Sequence, residues 1–308
     1  MSSEKAKVRV ARSLAGVCTV RNTADLIGPI CGHYLGIGLT HIKFIDDGSS
    51  DGTFEILSRL ARQEKRVSVL RVSNTQFRQA DLMSEAVNEL IHHGFSLILP
   101  FDADEFWNVS GPALESRYSS YREITFSGRW NNFVKRVSTT KVRPFYLWDV
   151  KYRAPYLDDA NQESVTAFRR PFVCSTATKI GFKASKPVRV SQGQHSLEAA
   201  SLEHDTHSYE IFHLPFRNRN EINKRALDYE PRRAPLRPNP STSWQSFFHR
   251  QAVLAGRIDD IWRANSADRN GFLNCNGERV PLIRDRRLQR MMLKGYAYVA
   301  LRYRVFCS

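Results

Sequence analysis

Three carboxylates lie close together in the sequence SLILPFDADEFW, which starts at Ser96. Asp102, Asp104 and Glu105 follow the apolar run Leu-Ile-Leu, which is typical of a strand buried on both faces. In an extended segment Asp102 and Asp104 point to the same side, where they repel each other unless a cation lies beside them. Carboxylate oxygens favour Mg²⁺ or Mn²⁺ over zinc. The spacing therefore indicates a divalent-metal site, and an acidic turn after a strand is the plainer alternative.

The acidic segment follows a series of alternating strand and helix patterns. Strands are predicted at 15–20, 41–45, 67–72 and 97–99, with helices at 26–39, from 54 onward and at 79–92. This alternation predicts an α/β fold in which a mostly parallel central sheet has helices on both faces. The functional loops of such sheets lie at the C-terminal ends of the strands. Polar residues occupy all four of those ends: Arg21-Asn22, Asp46-Asp47, Ser73-Asn74 and Asp102 to Glu105.

The length and the cysteines narrow the class of protein. A chain of 308 residues suits one large domain or two small ones. Its five cysteines show no C-x-x-C spacing, which argues against a zinc site or a disulfide framework and favours reduced thiols in a cytosolic protein. The apolar run Leu14 to Val20 is too short for a secretory signal, and no other run approaches the length that crosses a membrane. We therefore expect a cytoplasmic location.

The net charge of +15 is distributed unevenly. Residues 1–150 contain 19 basic and 16 acidic residues, a net charge of +3, whereas residues 151–308 contain 27 and 15, a net charge of +12. The basic half could face nucleic acid, anionic lipid or an acidic glycan, and a merely solvated basic surface is the plain alternative. Because base-reading and stacking motifs are absent, a nucleic-acid partner is not expected.

Three motifs together resemble a known family. Val-Arg-Asn22, the run IDDGSSDGT ending at Thr53 and the run FDADEF ending at Phe106 are similar, in order and spacing, to the N-terminal half of GT-A glycosyltransferases. They resemble family 2 most closely, in the subgroup that begins RNE and contains DxDEF. The match covers roughly the first third of the chain, and Thr23 stands where the subgroup has glutamate.

This resemblance implies a GT-A (nucleotide-diphospho-sugar transferase) fold and an inverting, metal-dependent glycosyltransferase. The donor would be a nucleotide-diphosphate sugar, and the acceptor would be a glycan or a lipid-linked molecule. Asp47 would hold the base or ribose and Asp102 would lie near the ribose. Asp104 would ligate the Mn²⁺ or Mg²⁺ ion that bridges the diphosphate.

Neither a P-loop nor the G-x-G-x-x-G spacing is present. The charge of a diphosphate must then be met by the metal ion and by basic side chains. The expected donor-binding residues are Arg21, Asn22, Asp47, Arg78, Asp102 and Arg217.

Two histidines are candidates to complete the metal site. His195 and His213 each end a short apolar or β-like segment, and enzymes of the resembling family bring a C-terminal histidine back to the metal. The alternative for both is a hydrogen-bonded core histidine. The expected metal ligands are Asp102, Asp104, His195 and His213.

Direct displacement needs a general base on the acceptor hydroxyl. Glu163, Glu203 and Asp205 are candidates, and spacing does not choose among them. Glu105 is expected to orient the acceptor or the metal ligands. We take Asp104, Glu105 and Glu163 as the catalytic set.

The chain divides into a GT-A domain at 1–230 and a C-terminal part at 231–308. The domain comprises a nucleotide-sugar-binding half, 1–110, and an acceptor half, 111–230. The C-terminal part opens with a Pro/Arg-rich linker, 231–240, and continues as a basic helical extension. Its final stretch, Leu282 to Val305, is basic and amphipathic, which is compatible with peripheral contact at the inner face of an anionic membrane or with a helix docked on the domain.

Two other classes of protein stay open. One is a catalytically inactive GT-A-like binding protein, and the other is a basic nucleic-acid-binding protein. The presence of both Asp102 and Asp104 speaks against the first of these.

Overall fold

The computed structural model describes residues 14–72, 78–137, 149–198, 202–233 and 240–303. Ser73-Asn74, one of the four polar strand ends, lies outside the described residues. The strands are β1 Leu14–Val20, β2 His41–Asp47, β3 Val67–Val72, β4 Leu97–Pro100, β5 Glu105–Trp107, β6 Ile124–Val134, β7 Tyr152–Arg153, β8 Thr178–Lys183, β9 Arg189–Val190, β10 Leu197–Glu198, β11 His204–His213, β12 Phe272–Cys275, β13 Glu278–Pro281 and β14 Ile283–Arg284. The helices are α1 Ala24–Gly36, α2 Thr53–Gln63, α3 Gln79–His92, α4 Gly111–Arg117, α5 Gln162–Thr166, α6 Arg219–Arg233, α7 Pro240–Leu254, α8 Ile258–Ala264 and α9 Arg287–Arg302.

The first four strands form the parallel part of the central sheet, in the order β3-β2-β1-β4. Val20 pairs with Asp46, and Val17 pairs with Pro100, so the C-terminal ends of these strands meet at one edge. The predicted α/β fold with a mostly parallel central sheet is confirmed. The four strands lie where the alternating pattern predicted them.

The second half of the chain extends this sheet with antiparallel strands. β8 pairs antiparallel with β4, and β6 pairs antiparallel with β8. β11 runs parallel to β6 and antiparallel to β5. Because β5 begins at Glu105, the β5–β11 pair brings His213 opposite the acidic segment.

The side chains of β1 point alternately to the two faces of the sheet, and both faces are buried. Leu14, Cys18 and Val20 pack with α1, α2 and α9, whereas Ala15 and Val17 pack with α3. Period-two alternation puts these two sets on opposite faces. The expectation of helices on both faces is therefore confirmed, and the burial of both faces explains why β1 reads as a continuous apolar run.

The C-terminal part packs against both halves of the chain. Residues of α8, β12 and β13 share an apolar cluster with Val134 and Phe172, and α9 lies along α1. The expected linker is partly helical, because α6 continues to Arg233 and α7 begins at Pro240; residues 234–239 lie outside the described ones.

Two glycines set the contact between α1 and α9. A Cβ atom on Gly32 would lie 1.9 Å from the carbonyl oxygen of Gly295, and one on Gly295 would lie 2.1 Å from the carbonyl oxygen of Pro29. The two backbones therefore touch at this crossing, and Leu288, Met292 and Val299 of α9 are buried beside it.

None of the helices in the described part of the chain is both long and apolar enough to span a bilayer.

Candidate functional site

The acidic segment forms the turn between β4 and β5, at the edge where the parallel strands end. The amide of Glu105 donates to the carbonyl of Asp102 at 3.0 Å, and the amide of Leu214, just past β11, donates to the carbonyl of Asp104. This backbone pairing fixes the three carboxylates beside the end of β11. Asp102, Asp104 and Glu105 therefore lie at the C-terminal edge of the parallel strands, where the sequence predicted functional loops.

A buried lysine lies against two of the three carboxylates. The ammonium group of Lys179, on β8, donates to Oδ2 of Asp102 at 2.7 Å and lies 3.1 Å from Oε1 of Glu105. Burial alone would disfavour the ammonium, but Asp102 and Glu105 raise the pKa of Lys179 above its ordinary value. Burial likewise opposes ionisation of Asp102, and Lys179 nevertheless holds the pKa of that carboxyl below its ordinary value.

The carboxylate of Glu105 is enclosed and fully engaged. Its Oε1 accepts from Nε1 of Trp130 at 2.8 Å, and its Oε2 accepts from the amide of Asp102 at 3.0 Å. Burial raises the pKa of Glu105 to about 7, with Asp102 and Asp104 adding to the rise and Lys179 opposing it. With 0% of its surface exposed, Glu105 can support the turn but cannot touch an acceptor. The expected orienting role toward an acceptor is therefore corrected.

His213 faces Asp104 with a defined tautomer. The side-chain amide of Asn132 donates to the carbonyls of Val173 and Ser175, at 3.2 and 2.7 Å, so its oxygen must face the imidazole. Nδ1 of His213 donates to that oxygen at 2.7 Å, which leaves Nε2 without a proton.

The bare Nε2 of His213 lies 3.8 Å from Oδ1 of Asp104. Burial lowers the pKa of His213 to about 4, so the ring is neutral near pH 7. The ring also packs on Trp130, with the two centroids 4.1 Å apart. Two electron-pair donors therefore face each other at the strand edge.

The turn after β1 is joined to the loop after β2. Asn22 adopts a left-handed backbone, with φ of 52°, and its side-chain oxygen accepts from the amide of Ser50 at 2.8 Å. Asp51 accepts from the amide of Thr53, the first residue of α2, at 3.0 Å. Asp47, the last residue of β2, is 4% exposed.

α6 lies over the same edge and supplies charged side chains to it. Asp228 receives two hydrogen bonds from Arg21, at 2.5 and 2.8 Å, and Arg21 also donates to the carbonyl oxygens of Asp47 and Gly48. Nη1 of Arg225 lies 3.8 Å from Oδ2 of Asp104. Helix α6 thus adds one acidic and one basic residue to the candidate site.

Several expected site residues have other partners. Nε of Arg217 lies 3.0 Å from Asp25, at the start of α1. Arg78 precedes α3 and pairs with Asp81 and Glu85. Nδ1 of His195 contacts the carbonyl oxygen of Thr178 at 2.6 Å, and its side chain is exposed.

Two of the three base candidates lie away from the acidic turn. Glu163, the third, is exposed in the first turn of α5 and stays a candidate. Asp205 lies eight residues before His213 on β11, which corresponds to roughly 25 Å along a strand. Its carboxylate accepts from Arg117 and from the hydroxyl of Tyr118. Glu203 precedes the same strand. The structure therefore does not bring Glu203 and Asp205 to Asp104.

Within the five described ranges, no three His, Cys, Asp or Glu side chains are grouped closely enough to hold a metal ion. The four-ligand set expected from the sequence is therefore not assembled. Asp102 is paired with Lys179 and with Gln79, and His195 bonds the backbone. Of the four, only Asp104 and His213 face each other.

A polar cavity of 490 Å³ lies next to Trp130 and Asn132, the residues that support Glu105 and His213. Arg129, Arg153 and Tyr156 also line it. All of its lining residues fall between 129 and 210, inside the half of the chain expected to bind the acceptor.

Sequence reasoning missed Lys179, Asn132, Trp130 and the charged residues of α6. One signal was available for two of them, because Trp130 and Asn132 are two residues apart on β6 and therefore share a face. A lysine in a short strand has no such signal, since its burial depends on which strands flank it.

Comparisons with known proteins give distant structural similarities. No protein-family model and no curated protein sequence matches the chain. Staphylococcus aureus TarS (residues 1–349) is 10% identical, with a TM-score of 0.34, over 82% of this chain and 84% of that one. The mannosyltransferase PcManGT of Pyrobaculum calidifontis, in complex with GDP-Man and Mn²⁺, is 17% identical, with a TM-score of 0.28, over 41% of this chain and 36% of that one. A 4-diphosphocytidyl-2C-methyl-D-erythritol synthase from Anaerococcus prevotii is 9% identical, with a TM-score of 0.28, over 43% of this chain and 60% of that one.

Proposed function

We propose that the protein is a metal-dependent, inverting GT-A glycosyltransferase that transfers a sugar from a nucleotide-diphosphate donor to a glycan or lipid-linked acceptor. The observation that supports this most is the pair formed by Asp104 and the unprotonated Nε2 of His213, 3.8 Å apart at the C-terminal edge of the parallel strands. That edge is where open α/β sheets bind their ligands.

The donor atoms of this pair fit a divalent ion. An anionic oxygen and a neutral imidazole nitrogen suit Mn²⁺, and atoms about 2.1 Å from one ion are commonly roughly 3 to 4 Å from each other. Ions of this kind are often held by one or two protein side chains together with substrate phosphates. Asp104 and His213 would hold the ion, which would neutralise the leaving diphosphate. Asp102 and His195 are not part of this proposed site.

The donor nucleotide would lie along the ends of β1 and β2. Asn22 and Asp47 frame that region, and Asp47 would contact the base or ribose. Arg21, bonded to the loop after β2, and Arg225, beside Asp104, carry guanidinium groups that would meet phosphate charge. A ribose near Asp102 would bond Oδ1 in addition to Gln79 or in its place, because Oδ2 is paired with Lys179.

The polar cavity beside Trp130 is the proposed acceptor site. Its lining combines hydrogen-bonding groups with the ring of Tyr156, which is 55% exposed, and both features suit a sugar. Trp130 forms part of its wall and also contacts His213, so an acceptor there would lie next to the proposed metal. Positioning two substrates side by side is the main contribution that the protein would make to catalysis.

A test begins with a thermal-shift screen of nucleotide-diphosphate sugars in the presence of Mn²⁺. Calorimetry then measures binding of the donor found and of Mn²⁺ to the parent and to Asp104→Asn. The amide keeps the size of the side chain but removes its charge, so we expect at least about tenfold weaker metal-dependent donor binding and loss of most turnover. The free energy of unfolding should change little or rise, because a repulsion among carboxylates is relieved.

The matched control is Asp158→Asn, which removes the same charge from an exposed position. It should bind donor and metal as the parent does. Equal, metal-dependent donor affinity in Asp104→Asn and in the parent would contradict the proposed site.

A further inference from the structure

Lys179 is one of the most deeply buried charged residues in the described chain, with 1% of its surface exposed. Its ammonium nitrogen has three oxygen partners: Asp102 at 2.7 Å, Gln194 at 2.9 Å and Glu105 at 3.1 Å. An ammonium group has three hydrogens to donate, so these partners satisfy it completely. It also lies 5.5 Å from the centre of the Trp130 ring, which favours a cation there.

The third partner is held at a cost in backbone energy. Gln194 is fully buried and has a φ of 57°, a left-handed conformation that is unfavourable for a residue with a side chain. This conformation occurs in the turn where the side-chain oxygen of Gln194 meets Lys179. The surroundings of the ammonium are thus constructed from a strand, an acidic turn and a strained loop.

The positive charge of Lys179 offsets the repulsion among the carboxylates of the acidic turn. Three carboxylates lie within four residues, and repulsion among them would be strong away from water. Lys179 contacts two of them, and Asp104 alone is left to face His213 and Arg225. A carboxylate paired with an ammonium is a poorer ligand, because a metal ion must displace the pair.

We propose that Lys179 is a fixed internal cation that removes Asp102 and Glu105 from metal ligation and confines a divalent ion to Asp104 and His213. Lys179 is a positioning residue, because it acts through the two carboxylates. The claim that the ion is confined to Asp104 and His213 rests on the proposed function. The claim that Lys179 neutralises Asp102 and Glu105 can be tested with metal alone.

The test measures Mn²⁺ affinity without nucleotide, from the electron paramagnetic resonance signal of free Mn²⁺. Lys179→Met keeps the length of the apolar stem and removes the charge. The partly exposed carboxylate of Asp102 then lacks its cation, so we expect Mn²⁺ to bind at least about tenfold more tightly than to the parent. A lysine that only filled space in the core would not raise metal affinity when replaced.

Two further variants separate charge from packing. The double variant Lys179→Met/Asp102→Asn removes one charge of each sign, and its Mn²⁺ affinity should return to within about threefold of the parent. Lys43→Met replaces another buried lysine, which is paired with Glu89 away from the acidic turn, and should leave Mn²⁺ affinity unchanged. If Lys179→Met does not fold, Lys179→Gln removes the same charge and retains a polar side chain, and it is judged by the same criterion.

Unchanged or weaker Mn²⁺ binding in a folded Lys179 variant would overturn the inference. The outcome is separable from that of the proposed function. The Asp104–His213 site is judged by metal-dependent donor binding to Asp104→Asn, whereas a gain of Mn²⁺ binding in Lys179→Met supports the assignment of the lysine even if the parent binds no Mn²⁺ without nucleotide.

Discussion

Buried imidazoles make this fold sensitive to acid. The His33 ring is buried, and its Nε2 donates a hydrogen bond to the carbonyl oxygen of Trp107 at 3.0 Å. Burial lowers the pKa of both His33 and His213 to about 4, although the hydrogen bond to Trp107 partly opposes this for His33. In the unfolded chain the same groups titrate near pH 6.5. Between these values the unfolded state binds more protons, so the free energy of unfolding falls as the pH drops from about 6.5 to 4.

The histidine contribution can be isolated with His33→Gln, which retains a donor for the carbonyl of Trp107. We expect the stability of this variant to depend less on pH between 6.5 and 4, by on the order of 2 kcal/mol over the interval. Urea unfolding at several pH values measures it. His93→Gln alters an exposed histidine and serves as the control, and a parent-like pH slope in His33→Gln would contradict the prediction.

At the scale of single residues, the sequence predicted the acidic turn of the site but not the buried lysine that contacts it. Asp102, Asp104 and Glu105 are neighbours in the chain, so their closeness needed no tertiary information. Lys179 and His213 approach them only through the pairing of β8 with β4 and of β11 with β5. His213 was found because its motif resembles a family pattern. Lys179 was not, since nothing in its local sequence indicates that it lies beside two carboxylates.

At the scale of elements, α6 contacts the edge where the donor is proposed to bind. Its Asp228 occupies two donors of the Arg21 guanidinium, and a phosphate group would compete for those donors. The short sequence motifs did not indicate this contact, because it joins residues 207 positions apart. Strands β1 to β4 and helices α1 to α3 were predictable, since each has its own hydrophobic period.

We expect Asp228→Asn to strengthen binding of a nucleoside diphosphate by up to about fivefold. The substitution removes a competing partial ion pair of modest energy, and the carbonyl oxygens of Asp47 and Gly48 still position Arg21. Calorimetry with Mn²⁺ present measures the change. Asp259→Asn breaks a different ion pair of α6, with Arg219, and should have no effect. Weaker binding in Asp228→Asn would show instead that the pair is needed to orient Arg21.

At the scale of the whole molecule, the contact of α9 with α1 joins two helices that are far apart in the sequence. The sequence allowed a helix on an anionic membrane or one docked on the domain, and the structure shows the docked arrangement. Arg286, Arg290 and Lys294 remain exposed on its outer side, so peripheral contact with an anionic membrane stays a prediction. Periodicity predicted the buried stripe of α9 but not its partner, because close backbone contact at Gly32 depends on the crossing geometry.

Gly295→Ala tests how tightly the two helices must approach. Its methyl group would lie 2.1 Å from the carbonyl oxygen of Pro29, so the helices must separate. We expect the free energy of unfolding to fall by about 1–3 kcal/mol, despite the better helix propensity of alanine. Gly36→Ala, at the end of α1, meets nothing within 4 Å and should be neutral or slightly stabilising in the same denaturant titration. Equal stability of the two variants would contradict the tight crossing.

The crossing of α1 and α9 also bears on the order in which the protein can mature. During synthesis α1 emerges well before α9, the helix whose surface covers Gly32. Until α9 emerges, the outer side of α1 lacks the apolar partners Leu288, Met292 and Val299. Strands β1 to β4 can pair as they appear, but the layer above them is completed only when α9 has been made. A nascent chain of this protein therefore has an interval in which α1 is open to chaperones or to non-native partners.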